Sequence, residues 1–293
     1  MTDGAGDFVV PVDKPEGPTS HDVVAMARRG LGTRRIGHTG TLDPFASGLL
    51  LLCVGWTTRL AEYLTGLDKT YEAVARLGVT TDTLDRDGVV LSESDAWRQL
   101  EESEIMRALS DFAGSIDQVP PQFSAKKLEG EAMHRRARRG EHVELAPVSV
   151  TVHDVQVTAV QLPEVRFSMR CSSGTYVRAI ARDLGESLGV GAHLTSLRRT
   201  SVGSFTVNDA IAVDALKDTE EVARVAVEPA AALAHLPLVE IDGEVARRLL
   251  HGQKVRLSND GSAAPVAVTH EGALFAIGEM RDGVLIPRKV FAS

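Results

Sequence analysis

A glycine-rich loop, Gly37–Pro44, leads into the longest uninterrupted apolar run of this chain, Leu49–Val54. Such a run is typical of a strand that is buried on both faces of a sheet. The two glycines of the loop allow backbone angles that other residues avoid, and Pro44 pushes Asp43 toward extended geometry. The pattern therefore predicts a sheet that presents the Asp43 carboxylate on a shaped loop, where functional groups concentrate. Taken alone, Asp-Pro also fits an ordinary β-turn.

Length and composition indicate two unequal domains. With 293 residues, of which 43% are hydrophobic, the chain can bury a substantial core. A boundary is predicted near Pro237, which gives a larger domain at residues 1–236 and a smaller one at 237–293. Residues from about 114 to 147 lack clean periodicity and are interpreted as an insertion. Predicted strands fall at 8–12, 49–54, 69–77, 148–160, 165–171, 265–269, 273–277 and 283–290, and predicted helices at 23–30, 57–64, 104–112, 133–139, 176–188, 213–234 and 245–250.

Composition excludes several classes of protein. No apolar run is long enough to cross a bilayer, so a cytoplasmic protein is expected. The two cysteines, Cys53 and Cys171, lie in or beside apolar stretches and are predicted to be reduced core residues. Neither has a second thiol or a histidine at zinc-ligand spacing, and the nine histidines are scattered, so no metal site is predicted.

Two basic clusters oppose the acidic charge of the whole chain. The formal net charge is −8, which by itself argues against a nucleic-acid partner. The segment Lys126–Arg139, however, holds six basic residues and only two acidic ones. A second cluster, made of Arg28, Arg29, Arg34 and Arg35, comes just before the glycine-rich loop. One basic cluster is usually only a solvated surface, but two beside a candidate site favour an anionic partner.

Seven segments, in order along the chain, resemble the motifs of the TruB family of tRNA pseudouridine synthases. They extend from about residue 8 to about residue 206; each alone is weak, but seven in register are specific. Gly37–Pro44 resembles the catalytic-aspartate motif, and Cys171–Arg178 resembles the arginine motif. The other five are similar to the early Lys-Pro motif, the tyrosine motif, the stretch after it, the RNA-contacting insertion and the late leucine-arginine element: Asp13–Ser20, Asp68–Tyr71, Asp82–Gly88, Gln118–Lys127 and Leu197–Thr200.

The resemblance implies an enzyme that isomerises uridine 55 in the T-loop of tRNA to pseudouridine. The C1′–N1 glycosidic bond breaks, the base turns over, and C5 joins C1′. No metal or cofactor is implied, and the T-arm of tRNA is the implied partner of a monomeric protein. The implied fold is α+β, with a mixed, largely antiparallel sheet flanked by helices in a pseudouridine-synthase catalytic domain. A small PUA-like β-barrel domain that binds RNA follows at the C-terminus.

Three residues are implied to carry the chemistry. Asp43 acts as an ionised nucleophile or base, and Arg178 orients its carboxylate in a bidentate pair. Tyr71 offers an aromatic face to the base, which must be flipped out of the RNA loop at a cost of roughly a few kcal/mol. Tyr71 also takes the C5 proton late in the reaction. The sequence leaves three first steps open for Asp43, namely attack at C1′, addition at C6 and deprotonation of C2′ toward a glycal; we favour the last.

Further residues are implied to bind or shape the RNA. His38 fills the space that the flipped base leaves and helps to order the T-loop, and Lys14 supports the loop that carries Asp43. Tyr176 and Leu197 line the pocket. In the insertion, this chain has His134 where the family usually has a tyrosine. Candidate phosphate contacts, which supply affinity rather than sequence reading, are Lys126, Lys127, Arg138, Arg198 and Arg199.

Three other functions fit parts of this pattern. A non-catalytic RNA-binding or RNA-folding module would retain the fold, but it would not need the set Asp43, Tyr71 and Arg178. A different hydrolase or transferase could place an aspartate on a glycine loop, but the phosphate-binding motifs GxxxxGK[ST] and GxGxxG are not present. A relative that works within a guide-RNA particle is closer, and the compact length without long basic tails argues against it.

Overall fold

The larger part of the chain is built on one sheet of ten strands, and its described residues also form two separate two-stranded sheets. The structure is a computed structural model, which describes residues 6–123, 127–128, 131–132, 139, 145–257 and 263–291. The strands of this part are β1 (Phe8–Lys14), β2 (Ile36–His38), β3 (Ser47–Val54), β4 (Lys69–Leu77), β5 (Val79–Thr81), β6 (Val90–Glu93), β7 (Gly114–Gln118), β8 (Lys127–Leu128), β9 (Glu131–Ala132), β10 (Val148–Gln161), β11 (Glu164–Cys171), β12 (Ala192–Val202), β13 (Phe205–Thr206) and β14 (Ile211–Ala212).

The main sheet is mixed and largely antiparallel, as the resemblance implied. Its order is β14-β1-β3-β12-β4-β11-β10-β7, with β2 beside β3 and β13 beside β12. Of these neighbours, β1 and β14 run parallel, and so do β3 and β12; the other pairs are antiparallel. Strand β3 lies inside the sheet, and each of its residues from Gly48 to Val54 is buried. Burial on both faces explains why its sequence is a continuous apolar run.

Helices flank this sheet. The first, α1 (Ser20–Gly30), begins with a capping box, in which the Thr19 hydroxyl accepts from Asp22 N–H and the Asp22 carboxylate accepts from Thr19 N–H. Shorter 3-10 turns lie at Gly55–Leu60, Ala96–Gln99, Val207–Asp209 and Val213–Lys217. The remaining helices of this part are α2 (Ala61–Thr65), α3 (Glu102–Ser110), α4 (Val177–Ser187), α5 (Thr219–Val225) and α6 (Pro229–Ala232).

The C-terminal strands form a second sheet that curves into a half-barrel. Its two hairpin signals are confirmed, because Glu271, Gly272, Asp282 and Gly283 all have positive φ, as a two-residue type I′ turn requires. The order of the strands is β15-β17-β18-β19-β16. In chain order the elements are β15 (Leu238–Glu240), α7 (Gly243–Leu250), β16 (Val255–Arg256), β17 (Ala263–His270), β18 (Ala273–Arg281) and β19 (Val284–Val290).

The two sheets share one apolar cluster, which covers one face of β3. Leu49 and Leu51 pack there with Ile277 and Phe291 from the C-terminal part. The Phe291 ring also stacks on Trp56, with 4.7 Å between the ring centroids. Leu50 and Leu52 point the other way and pack against α1. Strand β3 is thus enclosed between the C-terminal sheet and a helix.

Five strands of the main sheet were not predicted, namely β2, β7, β12, β13 and β14, and two of them show why. Strand β12 lies between β3 and β4, yet the adjacent charges Arg198 and Arg199 interrupt its apolar pattern. Strand β7 falls inside the predicted insertion, and only Gln118 at its end is buried, so it shows no apolar alternation. It pairs with β10 as an edge strand of the main sheet, and the irregular segment therefore begins after residue 118 rather than at 114.

The remaining predictions have three outcomes: one helix is wrong in its extent, one lies outside the described residues, and the state of the cysteines is confirmed. The helix predicted at residues 213–234 is broken into a 3-10 turn and two short helices. The helix predicted at 133–139 lies outside the described residues, apart from Arg139. Cys53 and Cys171 are buried and free, as predicted. No helix within the described ranges is long and apolar enough to span a membrane.

Candidate active site

A cavity of about 430 Å³ opens where the glycine-rich loop, β4, β12 and the start of α4 meet. Small-molecule sites usually have volumes of about 300–1,000 Å³. Most of the wall comes from two of the motif segments, Gly40–Asp43 and Ser172–Arg178, and the tyrosine and leucine-arginine segments complete it. The structure brings six of the predicted site residues to this one cavity: Asp43, Tyr71, Tyr176, Arg178, Leu197 and Arg199.

Asp43 and Arg178 form an ion pair at the wall of this cavity, with 2.9 Å between Arg178 Nε and Asp43 Oδ2. The Arg178 side chain is 4% exposed and the Asp43 side chain 34%, so the carboxylate remains accessible from the cavity. The other guanidinium nitrogens are held elsewhere: Nη1 donates to Thr83 O (2.7 Å) and Asp85 Oδ2 (3.3 Å), and Nη2 donates to Phe123 O (2.8 Å). The expected bidentate pair is therefore replaced by a contact through one nitrogen, because several partners share the guanidinium.

Asp85 is a second carboxylate on Arg178, and the sequence analysis gave it no role. It is 5% exposed, and its Oδ1 accepts from the Thr83 hydroxyl (2.6 Å) and from the Asp87 N–H (3.1 Å). Burial raises the pKa of Asp85, while the Thr83 hydrogen bond and the charge of Arg178 act in the opposite direction. The sequence signal that could have identified Asp85 was its place in the segment Asp82–Gly88, which resembles a family motif.

Lys14 shapes the turn that supports the loop of Asp43. Its side chain is fully buried, and Nζ donates to Pro15 O (2.8 Å) and Pro18 O (2.9 Å). Burial lowers the pKa of Lys14 to about 8. Within the same turn, Gly17 N–H donates to Pro44 O (2.8 Å). Lys14 is thus placed to support the loop, and it is shielded from direct contact with a ligand.

Ser20 fastens the same loop from the start of α1. Its Oγ accepts from Leu42 N–H (2.8 Å) and donates to Leu42 O (3.1 Å), and the side chain is fully buried. Leu42 immediately precedes Asp43. One hydroxyl therefore holds both backbone polar groups of the residue beside the carboxylate.

Replacing Ser20 with alanine is expected to lower the free energy of unfolding by about 1–3 kcal/mol, because both backbone groups of Leu42 lose their buried partner. The turnover rate should also fall, since Asp43 is the next residue. Urea unfolding followed by tryptophan fluorescence measures the first effect, and an activity assay measures the second. The control is Ser110→Ala on the exposed end of α3, expected to stay within about 0.5 kcal/mol of the unsubstituted protein. Equal stabilities for the two variants would contradict the role of Ser20.

His38 ends β2 and lies at the start of the glycine-rich loop. Its Nδ1 accepts from Gly40 N–H (3.3 Å), and its ring meets the His21 ring edge-on, with 5.2 Å between centroids. Burial, together with the charges of His21 and Arg199, lowers the pKa of His38 to about 4. The imidazole is therefore neutral near pH 7, and it offers a packing surface and hydrogen bonding rather than a charge.

The low pKa of His38 is expected to make the folded state sensitive to acid. An unfolded histidine binds its proton below about pH 6.5, whereas folded His38 does so only near pH 4. Between these values the unfolded chain binds more protons, so the stability falls as the pH drops from 6.5 to 4. His38→Gln should lose less stability than the unsubstituted protein in urea unfolding at pH 5 compared with pH 7. The exposed His251→Gln is the control, and equal losses for His38→Gln and the unsubstituted protein would contradict the prediction.

The two tyrosines of the cavity are held in different ways. Tyr71 is 8% exposed and packs with Leu42 and Leu197; burial raises the pKa of Tyr71, so the phenol is neutral near pH 7. The Tyr176 backbone is held by the Gln118 side chain, which accepts from Tyr176 N–H (2.8 Å) and donates to Tyr176 O (3.1 Å). Gln118 is 1% exposed and is a second residue to which the sequence analysis gave no individual role.

The candidate phosphate contacts have different surroundings. Arg198 is half-buried and forms a two-nitrogen ion pair with Asp13 (3.1 and 2.8 Å). Arg199 is 2% exposed and lines the cavity, where its guanidinium donates to Leu49 O and Gly40 O; its phosphate contact stays a prediction. Lys126 and Arg138 lie outside the described residues. Lys127 is described only by its place in β8.

Buried positive charge surrounds the cavity. One of the buried cations, Arg178, forms ion pairs with the partly exposed carboxylate of Asp43 and the buried one of Asp85. Positive charge at a cleft with low-dielectric walls attracts anionic ligands even when the whole protein is acidic. Within the part of the chain that the structure describes, no group of three His, Cys, Asp or Glu side chains could hold a metal ion. The buried cations, each at most 6% exposed, are Lys14, Lys69, Arg178 and Arg199.

Family models divide the chain into three matched parts. The N-terminal domain of the TruB family pseudouridylate synthases matches residues 28–177. The tRNA pseudouridylate synthase B C-terminal domain matches residues 178–236, and the C-terminal domain of pseudouridine synthase II TruB matches residues 237–291. With the α+β fold and the aspartate-arginine cavity, these matches define the class of the protein as a pseudouridine synthase.

Two curated relatives match nearly the whole chain. The tRNA pseudouridine synthase B of Thermobifida fusca is 46% identical over 295 residues, which cover 98% of this chain and 99% of the relative. The tRNA pseudouridine synthase B of Burkholderia lata is 42% identical, over 97% of this chain and 90% of the relative. The chain therefore belongs to the TruB family.

Solved structures share the fold. A structure described as a Cbf5-Nop10-Gar1 complex has a TM-score of 0.74 at 27% identity, and the match covers 97% of this chain and 85% of that one. An H/ACA ribonucleoprotein bound to a substrate RNA containing 2′-deoxyuridine also gives a TM-score of 0.74, at 24% identity, over 98% of this chain and 85% of that one. The likeness extends over the whole chain, C-terminal half-barrel included.

Proposed function

We propose that this chain isomerises uridine 55 in the T-loop of tRNA to pseudouridine. The observation that carries the proposal is the Asp43–Arg178 ion pair at the wall of a cavity that Tyr71 also lines. The relatives from T. fusca and B. lata bear the name tRNA pseudouridine synthase B, which supports tRNA as the substrate. The position within the tRNA rests on the resemblance of the seven motif segments.

The base enters the cavity after it is flipped out of the RNA loop. Flipping costs roughly a few kcal/mol of stacking and pairing, which contacts inside the protein must offset. Tyr71 and Leu197 supply apolar contact surface for the base at the cavity wall. His38, neutral and beside the loop, is assigned the space that the flipped base leaves in the RNA. Buried cations around the cavity favour the approach of the phosphate backbone.

The reaction is an isomerisation in which every atom of the uridine is retained. The C1′–N1 bond breaks, the base turns over, and a C5–C1′ bond forms. The proton on C5 leaves, and N1 is protonated, so the product has the composition of the substrate. Asp43 acts at the sugar or the base as a carboxylate that Arg178 holds through Nε. Tyr71, a neutral phenol, is assigned the transfer of the C5 proton, accepting it as its own proton passes on.

The rest of the chain is assigned to RNA binding. Residues 1–236 form the catalytic domain, and residues 237–293 form a PUA-like domain that contacts the tRNA. The basic residues of the insertion, together with Arg198, contact phosphates. The protein acts as a monomer in the cytoplasm, and the proposed reaction needs no metal or cofactor.

Because phosphate contacts release counterions, tRNA binding should weaken steeply with salt although the net charge is −8.

An unmodified tRNA transcript tests the proposal. After incubation with the protein alone, pseudouridine is expected at position 55 and at no other position. A transcript with cytidine at position 55 is the matched control and should yield no product. Product at another position would contradict the site of action, and no product from the first transcript would contradict the proposed function.

Work within a guide-RNA particle is the second candidate, because the solved structures of the same fold include an H/ACA ribonucleoprotein and a Cbf5-Nop10-Gar1 complex. The curated relatives favour the stand-alone enzyme, since the match covers 99% and 90% of their lengths. The same assay separates the two candidates. Activity of the purified protein without added guide RNA or protein partners supports the first, and activity that requires either one supports the second.

A further inference from the structure

Arg199 has a position that neither substrate binding nor simple core packing explains. It is a fully charged residue that is 2% exposed, and its side chain lies between the glycine-rich loop and strand β3. Its Nε donates to Leu49 O (2.7 Å), and its Nη2 donates to Gly40 O (3.1 Å). One guanidinium thus ties the loop that carries Asp43 to the buried strand that follows it.

The same guanidinium also meets Tyr71. In the antiparallel pair of β12 and β4, Arg199 lies directly opposite Tyr71, which brings their side chains to the same face of the sheet. Both side chains line the cavity, and the charge of Arg199 lowers the pKa of Tyr71, against the rise that burial causes. Arg199 therefore connects the Tyr71 side chain with the loop of Asp43.

The backbone around Arg199 has little freedom to move. Gly48 pairs with Arg199 across β3 and β12, and a Cβ added to Gly48 would lie 2.2 Å from Arg199 O. The φ of Gly48 is +104°, a conformation that favours glycine. The close approach fixes the origin of the Arg199 side chain. A planar fork from a fixed origin can hold several acceptors at once, which a lysine ammonium on a flexible stem does not reproduce.

We propose that Arg199 is a positioning residue, which holds the Tyr71 hydroxyl in register with the loop that carries Asp43. The inference rests on the proposed function, because it assigns Tyr71 and Asp43 to one reaction. Arg199 then acts in the chemical step and not in the capture of RNA. This role differs from the phosphate contact that the sequence predicted for the same residue.

Three variants test the inference: Arg199→Lys, Tyr71→Phe and the double variant. The rate of pseudouridine formation is measured in a single turnover at saturating tRNA, and the Kd is measured at several salt concentrations. Arg199→Lys should slow the reaction about 30–100-fold, while the Kd stays within about threefold and its salt dependence is unchanged. The double variant should be no slower than the slower single variant, because both substitutions break the same connection.

Two controls separate the inference from a purely structural role. Arg76→Lys changes an exposed arginine five residues along β4 from Tyr71 and should keep the rate of the unsubstituted protein. If Arg199→Lys unfolds at a lower temperature than the unsubstituted protein, Arg199→Gln takes its place in the single and double variants. Its amide keeps one N–H donor for Leu49 O. Arg199→Gln should show the same loss of rate with an unchanged Kd.

Two outcomes would overturn the inference while the proposed function stands. The first is a weaker Kd with a shallower salt dependence for Arg199→Lys, which would indicate a phosphate contact. The second is a multiplicative loss of rate in the double variant, which would indicate that Arg199 and Tyr71 act independently. The unsubstituted protein in the same assay tests the proposed function separately, since it should form pseudouridine whatever the Arg199 variants do.

Discussion

Asp43→Asn is expected to abolish pseudouridine formation and to leave tRNA binding within about threefold of the unsubstituted protein. The amide keeps the size of the carboxylate, so the loop geometry set by Ser20, Gly17 and Lys14 is preserved. It lacks the negative charge that a nucleophile or base requires, and it leaves Arg178 Nε without its anionic partner. Loss of the group that acts directly on the substrate lowers rates by about 10⁴-fold or more.

Single-turnover assays with an unmodified tRNA transcript measure the rate, and filter binding measures the affinity. The matched control is Asp111→Asn, which changes an exposed aspartate at the end of α3 and should retain the rate of the unsubstituted protein. Product from Asp43→Asn at more than about 1% of the normal rate would remove Asp43 from the chemistry. A parallel loss of binding would instead give the carboxylate a role in holding the RNA.

Arg178→Lys is expected to give the second largest loss, about 10³-fold in the single-turnover rate. One ammonium group cannot reach Asp43, Asp85, Thr83 O and Phe123 O together, as the guanidinium does. An ammonium that pairs with Asp43 would leave the buried Asp85 carboxylate without its ion pair, which also destabilises the fold. The loss should therefore appear in both the rate and the thermal stability.

Asp85→Asn separates these two effects. The amide keeps one acceptor oxygen, where the carboxylate offers one oxygen to Thr83 and the other to Arg178, and it removes the buried negative charge, so the fold should suffer less than in Arg178→Lys. The rate should still fall, by about tenfold or more, because the guanidinium is held less firmly against Asp43. The control Arg182→Lys lies one turn along α4, where the arginine pairs with Asp183, and should keep a rate within about twofold of normal. A normal rate for Asp85→Asn would show that Arg178 needs no second carboxylate.

The main features of the fold could be predicted because they depend on local pattern. The run Leu49–Val54 is buried on both faces, between α1 and the C-terminal sheet, and its continuous apolar composition predicts this burial. The hairpin signals at Glu271 and Asp282 report a backbone conformation that few residues adopt. Strand β12 was not predicted because Arg199 is charged and yet buried, which the apolar pattern of a sequence does not indicate. The burial of Arg199 depends on acceptors elsewhere in the chain, Leu49 O and Gly40 O.

The residues around the cavity also fall into two groups, those that the sequence identified and those that it did not. Asp43, Tyr71 and Arg178 lie in segments that resemble family motifs, and the structure places all three at one cavity. Their catalytic roles remain predictions that the variants above test. Asp85 and Gln118 received no individual role from the sequence, because each acts through a side chain or backbone group more than 50 residues away. No local pattern reports such a pairing.

By itself, the sequence determined the family, the α+β character and the segments that meet at the cavity, because motif order, apolar runs and turn residues are properties of neighbours along the chain. Only the tertiary structure decided how the charges are shared. It placed Arg178 on Asp43 through one nitrogen and on Asp85 through another, and it enclosed Arg199 beneath the loop. The physical reason is that the partners of a buried charge are set by which strands and loops pack together, and distant segments meet only in the folded chain.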